Sequence, residues 1–172
     1  MAAAAIIETA RLVLRKPEGA DAAHVAAFYE TDRSRFVGGP CSSDQGWRKA
    51  AMFFGHWTIR GYGLFTVVRK DTGAPIGLIG PWYPDGWADH EIGWQIWRPE
   101  DEGHGFATEA ATAARDWCRA TLGWTRIVSY IADGNDGSIA VATRMGAVRD
   151  PHAAMPSTGP CNVFLHPQSA AA

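Results

Sequence analysis

The sequence predicts an α/β (α+β) fold with one sheet of mixed direction, mostly antiparallel, flanked by helices. β-type segments at 63–70, 75–83 and 91–97 follow one another through short polar turns, which is typical of an antiparallel meander. A helical pattern then separates residues 91–97 from the β-rich residues 125–132, and a crossover of this kind makes the two strands parallel neighbours. The predicted order of elements is β-α-α-β-β-β-α-β-α-β-β.

Length and composition fit one globular domain. The chain has 172 residues, of which 47% are hydrophobic, and this is enough for a substantial core. We find no internal repeat and no linker. We therefore predict one domain over residues 8–167, with loose termini over 1–7 and 168–172.

Charge and cysteine content exclude several classes of protein. A net charge of −2 gives no global electrostatic basis for binding nucleic acid or an acidic membrane surface. The start M-A-A-A-A-I-I-E lacks the basic region of a signal peptide, and no run reaches membrane-spanning length. Cys41, Cys118 and Cys161 are too widely spaced for a disulfide framework or a metal site, so we expect a cytoplasmic protein without a metal.

The first strand and helix are predicted from alternation and a capping residue. Residues 10–16 alternate, with Leu12 and Leu14 facing inward, and Pro17 ends the strand. A helix follows, for which Asp21 is the expected N-cap. The next helix begins at Ser42, because Ser42 and Gln45 have the spacing of a capping box. Its predicted core face consists of Trp47, Ala50, Ala51, Phe54 and Trp57.

The stretch from Glu91 to Thr108 carries the strongest functional signal. It predicts a strand with Ile92, Trp94 and Ile96 on one face, ended by Arg98-Pro99, and a helix that begins near Phe106. Gly103 and Gly105 lie in the turn between them, where the missing Cβ atoms let a ligand approach the backbone. Since the first N–H groups of a helix have no partner and carry partial positive charge, this turn is suited to phosphate.

The last third of the chain predicts one more helix and two strands. Asn135 and Ser138 belong to a capping cluster that opens a helix, and Gly146 fits its C-terminal end. Closing strands are expected at 147–150 and 161–166. An exposed last strand could pair between copies, so a homodimer stays open.

These elements and motifs together resemble the GCN5-related N-acetyltransferase (GNAT) superfamily, and its RimJ/RimL branch of ribosomal-protein N-terminal acetyltransferases in particular. The signature [Q/R]-x-x-G-x-[G/A] falls on Glu102 to Ala107 and continues as A-T-E-A. The opening T-A-R-L-V-L-R, the strand E-I-G-W and the spacing of Asn135, Ser138 and Gly146 are also similar. Three positions depart from the family pattern: Glu102 replaces Gln or Arg, Ala142 stands where many members have a tyrosine, and Ala147 replaces the usual aromatic residue after Gly146.

The resemblance implies acetyl-CoA as cosubstrate, with the pantetheine arm between splayed fourth and fifth strands (91–97 and 125–132). The pyrophosphate would bind the backbone N–H groups of the glycine turn, while Gly93 would mark a strand bulge whose N–H polarises the thioester carbonyl. Glu102 would lower the affinity unless it faces solvent or caps an N–H group. The implied cofactor-binding residues are Ile96, Trp97, Arg98, Gly103, His104, Gly105, Phe106, Ala107, Thr108, Asn135 and Arg144.

The implied reaction is direct transfer of the acetyl group to a primary amine. A protonated amine needs a base, and we predict Glu91 acting through a water molecule, with Asp89 and His90 as alternatives. Ser138 is the predicted acid toward the leaving thiolate; because Ala142 replaces the tyrosine, the source of the general acid stays open. The alternative roles are a solvated strand-edge carboxylate for Glu91 and a helix-capping hydroxyl for Ser138.

Three questions stay open at the level of sequence. The acceptor is either a protein or peptide N-terminus or a small-molecule amine, and Trp82, Trp87 and Trp94 predict either an apolar wall for it or a dimer surface. The same fold would also serve a non-catalytic acyl-CoA sensor. A dinucleotide-dependent oxidoreductase is disfavoured, because Thr108 occupies the third glycine position of that fingerprint.

Overall fold

The computed structural model describes residues 6–168, which form four α-helices and one eight-stranded sheet. In chain order the elements are β1 Ile7–Glu8, β2 Leu12–Arg15, α1 Asp21–Tyr29, α2 Ser43–Arg60, β3 Phe65–Arg69, β4 Pro75–Trp82, β5 Glu91–Ile96, α3 Phe106–Leu122, β6 Val128–Ile131, α4 Asp136–Arg144, β7 Val148–Arg149 and β8 Asn162–Leu165. Short 3-10 turns lie at Asp32–Val37 and Pro99–Asp101. The two-residue β1, which pairs Ile7 with Leu14, was not predicted as a strand. Residues 1–5 and 169–172, which belong to the predicted loose termini, lie outside the described residues.

The strand order β1-β2-β3-β4-β5-β6-β8-β7 confirms the mixed, mostly antiparallel sheet. The predicted meander is present as β3, β4 and β5, and α3 makes the crossover that sets β6 parallel to β5. The prediction of an exposed last strand was wrong. The last strand, β8, lies between β6 and β7, so its backbone groups are used on both sides.

The parallel strands β5 and β6 separate almost as soon as they meet, which confirms the predicted splay. Their register contains one pair, Glu91 with Val128, beside the bond from the Val128 N–H to the His90 carbonyl at 2.9 Å. One step further on, the Ser129 hydroxyl donates to the Ile92 carbonyl at 2.7 Å. Beyond that point, no backbone hydrogen bond joins the two strands among the described residues.

The sheet is covered on both faces, and residues in β5 and directly after it pack into both layers. On one face, Ile92 packs with α3 in a large core that includes the buried helix residues Ala110, Ala114 and Cys118. On the other face, Trp97 packs with α1 and α2. Burial of a large apolar side chain typically contributes about 1.5–3 kcal/mol, so both layers hold β5 firmly in place.

Two local predictions about the helices were wrong. Asp21 is not the N-cap of α1, a position taken by Ala20; Asp21 is buried instead, where its carboxylate binds Arg15 at 2.7 Å and the Thr66 hydroxyl at 2.8 Å. The core face of α2 was also misassigned. Ala50 and Trp57 are buried as predicted, but Trp47 is 59% exposed and Phe53 takes the core position expected for Phe54.

The start and end of α2 agree with the sequence. The Ser42 N–H donates to the Gln45 side-chain oxygen at 3.2 Å, as expected for a capping box, and Gly61 ends the helix in a left-handed conformation. None of the helices in the described range is both long enough and apolar enough to span a membrane.

Candidate active site

The turn between β5 and α3 presents a row of unused backbone donors. Gly103 and Gly105 have positive φ values of 77° and 78°, a conformation that residues with a Cβ rarely adopt, and Gly105 precedes the first turn of α3. Among the described residues, no backbone acceptor meets the N–H groups from Gly103 to Thr108; the first N–H to find one is that of Glu109, which donates to the Gly105 carbonyl. Six consecutive free donors at the positive end of a 17-residue helix form a site for a phosphate or pyrophosphate.

Charged side chains hold this turn in shape. Arg11 donates to the His104 carbonyl at 2.9 Å and to the Glu109 carboxylate at 2.7 Å. The guanidinium carbons of Arg11 and Arg69 lie 4.6 and 5.0 Å from the centre of the Phe106 ring. The donors are therefore fixed before a ligand arrives, which lowers the entropy lost on binding.

A cavity of about 910 Å³ begins at this turn and extends along the open edge of β5. It includes nine of the eleven residues predicted for the acyl-CoA site.

 Trp97 and Arg98 do not line the cavity. The nine residues on its wall are Ile96, Gly103, His104, Gly105, Phe106, Ala107, Thr108, Asn135 and Arg144.

Trp97 and Arg98 are engaged elsewhere. The Trp97 N–H donates to the Ile76 carbonyl of β4 at 2.9 Å, and its ring packs in the core beside α1. The Arg98 side chain pairs with the buried Asp101 at 2.9 Å. The resemblance implies that the backbone of Trp97 contacts the cosubstrate, but its N–H is not free for a ligand because it already belongs to the β4–β5 ladder.

The same ladder shows which backbone groups of β5 are free. In an antiparallel pair, alternate residues direct their N–H and C=O groups to opposite neighbours. Since Trp97 pairs with β4, the groups of Trp94 and Ile96 point toward β6. The strand runs in unbroken register past the pair of Gly80 with Gly93, so the predicted bulge at Gly93 is absent, and the Trp94 N–H is the better placed donor for a thioester carbonyl.

Arg33 is a cavity residue that the sequence did not reveal. It comes from the 3-10 turn at Asp32–Val37, and its guanidinium donates to the Ile96 carbonyl at 3.0 Å and to the Glu102 carboxylate at 2.7 Å. Its Nε atom is buried without a partner among the described residues. Glu102 is 57% exposed and neutralised by this contact, which resolves the expected conflict between its charge and a phosphate.

A second cavity of about 640 Å³ meets the first where β5 and β6 part. The two share a set of wall residues at the junction: Phe36, Val37, Trp94, Gln95, Asn135 and Ser138. The second cavity is lined largely by aromatic and apolar side chains, and the three tryptophans singled out in the sequence, Trp82, Trp87 and Trp94, all lie on its wall. One passage thus leads from the anion-binding turn to an apolar chamber.

Glu91 is a buried carboxyl group on the wall of that chamber. It is 9% exposed, so it is not the solvated strand-edge residue of the alternative interpretation. Burial raises the pKa of Glu91 from 4.5 to about 7, while hydrogen bonds from the Trp87 indole N–H, at 2.6 Å, and from the Tyr130 backbone limit the rise. At neutral pH this carboxylate is therefore present in both protonation states, as a general base requires.

The two alternatives to Glu91 lie outside both cavities. Asp89 pairs with Arg126 at 2.9 Å. The His90 ring stacks on Trp124 with 4.2 Å between ring centres, and burial lowers its pKa. Their side chains are thus committed to structural contacts near the beginning of β5.

Ser138 and Asn135 lie on the opposite side of the passage, at the start of α4. The Asn135 side-chain oxygen accepts the Ser138 N–H at 3.2 Å, which confirms the predicted helix cap. The Ser138 hydroxyl accepts the Trp94 indole N–H at 3.1 Å, so its own proton is free to be donated. Ala142 is fully buried and contributes no polar group.

A sheet that opens between two parallel strands, with an anion-binding turn at one end of the opening, is the arrangement that the resemblance to acyl-CoA-dependent acyltransferases implies. Residues 11–148 match the family described as "Acetyltransferase (GNAT) domain". The chain therefore belongs to the GNAT acetyltransferase family, and the protein is an acyltransferase.

Solved structures agree with this assignment. An acetyltransferase from Agrobacterium tumefaciens is 34% identical, with 96% of each chain covered and a TM-score of 0.88. A ribosomal-protein-S5-alanine acetyltransferase from Vibrio fischeri is 18% identical, with 94% of each chain covered and a TM-score of 0.65. RimL, a ribosomal L7/L12 α-N-protein acetyltransferase solved with coenzyme A, is 15% identical, covers 94% of this chain and 96% of its own, and has a TM-score of 0.70. The last two show the shared fold only.

A comparison with curated proteins gave no match. The GNAT family uses acetyl-CoA, and the free N–H groups of the glycine turn together with the adjoining cavity fit a ligand that carries a pyrophosphate and a long narrow arm. Within residues 6–168, no group of three or more His, Cys, Asp or Glu side chains is placed to hold a metal ion.

Proposed function

We propose that this protein is an N-acetyltransferase that moves the acetyl group of acetyl-CoA directly to a primary amine. The observation that carries the proposal is the position of Glu91: a buried carboxyl group with a pKa of about 7, on the wall of an apolar chamber that joins the anion-binding passage. An amine in that chamber would meet a base on one side and the thioester on the other.

The glycine turn and its neighbours would hold the cosubstrate. The backbone donors from Gly103 to Thr108 would bind the pyrophosphate, and Arg144, exposed on the same cavity wall, would add positive charge. Arg33 would supply a further cation near the passage. The free N–H groups of Trp94 and Ile96 would direct the pantetheine arm along β5, and Asn135 would contact it from α4.

The reaction requires a neutral amine nitrogen. A lysine-like amine has a pKa of about 10.4 and arrives protonated, so Glu91 would first take a proton, through one water molecule. The nitrogen lone pair then forms a bond to the acetyl carbon, and the carbon–sulfur bond breaks. The bonded nitrogen gives up its second proton to solvent, and Glu91 releases the proton that it took. The Ser138 hydroxyl would donate a proton to the leaving thiolate and recover one from solvent, so the products are an amide and the thiol of CoA.

The RimJ/RimL resemblance makes a protein N-terminus one candidate acceptor and a small amine the other. The two relatives described above that are named for ribosomal-protein substrates have identities of 18% and 15%, which give this chain no more than the fold. The unpaired cysteines Cys41, Cys118 and Cys161 support a reducing compartment, and we propose a cytoplasmic location.

The test is thiol release from acetyl-CoA in the presence of a panel of amines and peptides, with the products identified by mass spectrometry. Wild-type protein is expected to release thiol and form an N-acetyl product in equal amounts. Glu91→Gln is expected to lose at least about 100-fold in kcat, while the thermal shift caused by CoA stays unchanged. The matched control is Glu30→Gln, which removes an exposed carboxylate at the end of α1 and should leave both values unaltered.

Three results would count against the proposal. A CoA-induced thermal shift without turnover of any amine would favour the non-catalytic sensor. Full activity of Glu91→Gln would remove Glu91 as the base. A thermal shift with NADH and none with CoA would instead support the alternative function of a dinucleotide-dependent oxidoreductase.

A further inference from the structure

The second cavity has a composition that selects among amines. Its wall is mostly aromatic and aliphatic, and among the described residues that line it, Glu91 and Lys49 are the only charged ones. A volume of about 640 Å³ lies within the usual range for sites of small organic ligands. The chamber therefore has room for a bulky organic group and a place for one positive charge.

We infer that the acceptor is a small primary amine with an aromatic or similarly bulky apolar body and no second positive charge. This inference rests on the proposed transfer reaction and adds the substrate class. The ammonium group would lie at Glu91, and the body would pack against the rings of Trp82 and Trp87. Aromatic pairs contribute roughly 0.5–1.5 kcal/mol beyond the apolar area that they bury.

Charge distribution argues against polyamines as acceptors. A polyamine needs a carboxylate or carbonyl for each of its ammonium groups, and Glu91 is the one carboxylate on the described wall. At another part of the wall stands Lys49, half-buried, with its ammonium 4.9 Å from the centre of the Tyr29 ring. A second cation inside the chamber would be repelled by Lys49 and would remain unpaired, which is costly in an apolar site.

Gln95 supplies a second, independent sign of a bound amine. Its side chain is nine-tenths buried at the junction of the two cavities, and its nitrogen donates to the Tyr29 hydroxyl at 3.0 Å. Its oxygen has no donor within the described part of the chain. Buried acceptors are nearly always satisfied in native proteins, so an N–H of the ligand is the natural partner.

Loop contacts close one side of the chamber and disfavour a long peptide. The Ser157 N–H donates to the Gly86 carbonyl at 3.0 Å and joins the loop after β7 to the loop before β5. A Cβ at Gly86 would come within 2.5 Å of the Ser157 hydroxyl oxygen, so this contact is tight. Pro84, Trp87, Pro156 and Pro160 from these two loops form part of the wall.

The experiment compares kcat/KM for phenylethylamine, ethylamine, spermidine and an Ala-Arg-Tyr peptide. Phenylethylamine is expected to exceed each of the others at least about tenfold, a difference that corresponds to about 1.4 kcal/mol. Lys49→Glu should shift the ratio of spermidine to phenylethylamine at least about tenfold toward spermidine. The control Arg149→Glu makes the same charge change on the exposed strand β7 and should leave the ratio unchanged.

A binding measurement separates this inference from the proposed reaction. Phenylethylamine should quench the tryptophan fluorescence of the CoA-bound protein in a saturable way, and spermidine should not. Turnover that favours spermidine or the peptide would overturn the acceptor class and leave the transferase intact. Saturable quenching without any turnover would support the ligand class and overturn the transfer reaction, and the absence of both would overturn both.

Discussion

Replacement of Glu91 by glutamine should make the protein more stable at alkaline pH while it removes activity. In the folded protein, burial raises the pKa of Glu91 to about 7, whereas the unfolded chain has the ordinary value of 4.5. The folded state therefore binds the proton more tightly than the unfolded state does. Stability contributed by the protonated group is fully present below pH 4.5 and is lost as the pH rises toward 7.

The size of the effect follows from the two pKa values. A difference of one pKa unit corresponds to about 1.4 kcal/mol, so the full loss is about 3 kcal/mol above pH 7. Between pH 5 and pH 8 the change is roughly 2–3 kcal/mol. Glutamine stays neutral throughout, and its side-chain oxygen can still accept the Trp87 indole N–H, so Glu91→Gln keeps the local geometry.

The assay is urea denaturation of both proteins at pH 5 and pH 8 without CoA. The variant should gain stability over wild type by roughly 2–3 kcal/mol more at pH 8 than at pH 5. Groups that are common to both proteins cancel in this difference, and Glu30→Gln should show no such dependence on pH. An equal gap at the two pH values would mean that Glu91 titrates normally, and its assignment as the general base would then have no physical basis.

Four further substitutions test other parts of the site and the fold. Gly105→Ala introduces a Cβ at a positive φ and should weaken CoA binding at least about tenfold by calorimetry, at a strain cost of about 1–3 kcal/mol, whereas Gly55→Ala, whose Cβ meets open space, should not. Ser138→Ala should lower kcat at least about tenfold with an unchanged KM for acetyl-CoA; an unchanged kcat would assign the proton on the thiol to solvent. Arg33→Ala should raise that KM several-fold, and more so at low salt. Asp21→Asn should destabilise the fold by about 2–4 kcal/mol in urea at pH 7. The loss should shrink as the pH falls toward 3, because burial, which alone would raise the Asp21 pKa, is outweighed by hydrogen bonds from Arg15, Glu18 and Thr66 that hold it below 3.8.

The order of the fold was predictable because its signals are local. Turns, proline and glycine positions, and the two hydrophobic periods gave the helices and strands in the right sequence, and the helix crossover gave the parallel pair. The errors arose where tertiary contacts decide. Asp21 is a buried ion-pair partner and not a helix cap. On α2, Phe53 packs into the core at the place predicted for Phe54.

The sequence predicts the part of the candidate site that backbone N–H groups form. It does not predict the properties that depend on how deeply a side chain is buried. Gly103 and Gly105 show in the sequence as a turn with free donors, and the structure places them so. Trp87 lies four positions from Glu91, but Tyr130 of β6 and the helix layers that cover the sheet come from distant parts of the chain. No local pattern could therefore indicate the burial that raises the pKa of Glu91. The contact between Arg33 and Glu102 spans 69 positions and was likewise beyond the reach of sequence spacing.

That contact also changes the meaning of the one motif position that departs from the family pattern. Taken alone, Glu102 places a negative charge beside a site for phosphates and should oppose binding. In the structure the carboxylate is turned outward and holds Arg33, which brings a guanidinium to the same cavity wall. The pair is close to neutral, and the cation is the member bonded to the open edge of β5, through the Ile96 carbonyl. A positive charge that the family motif places at the turn is thus delivered here from a different element, and the glycine donors keep an environment in which an anion is stable.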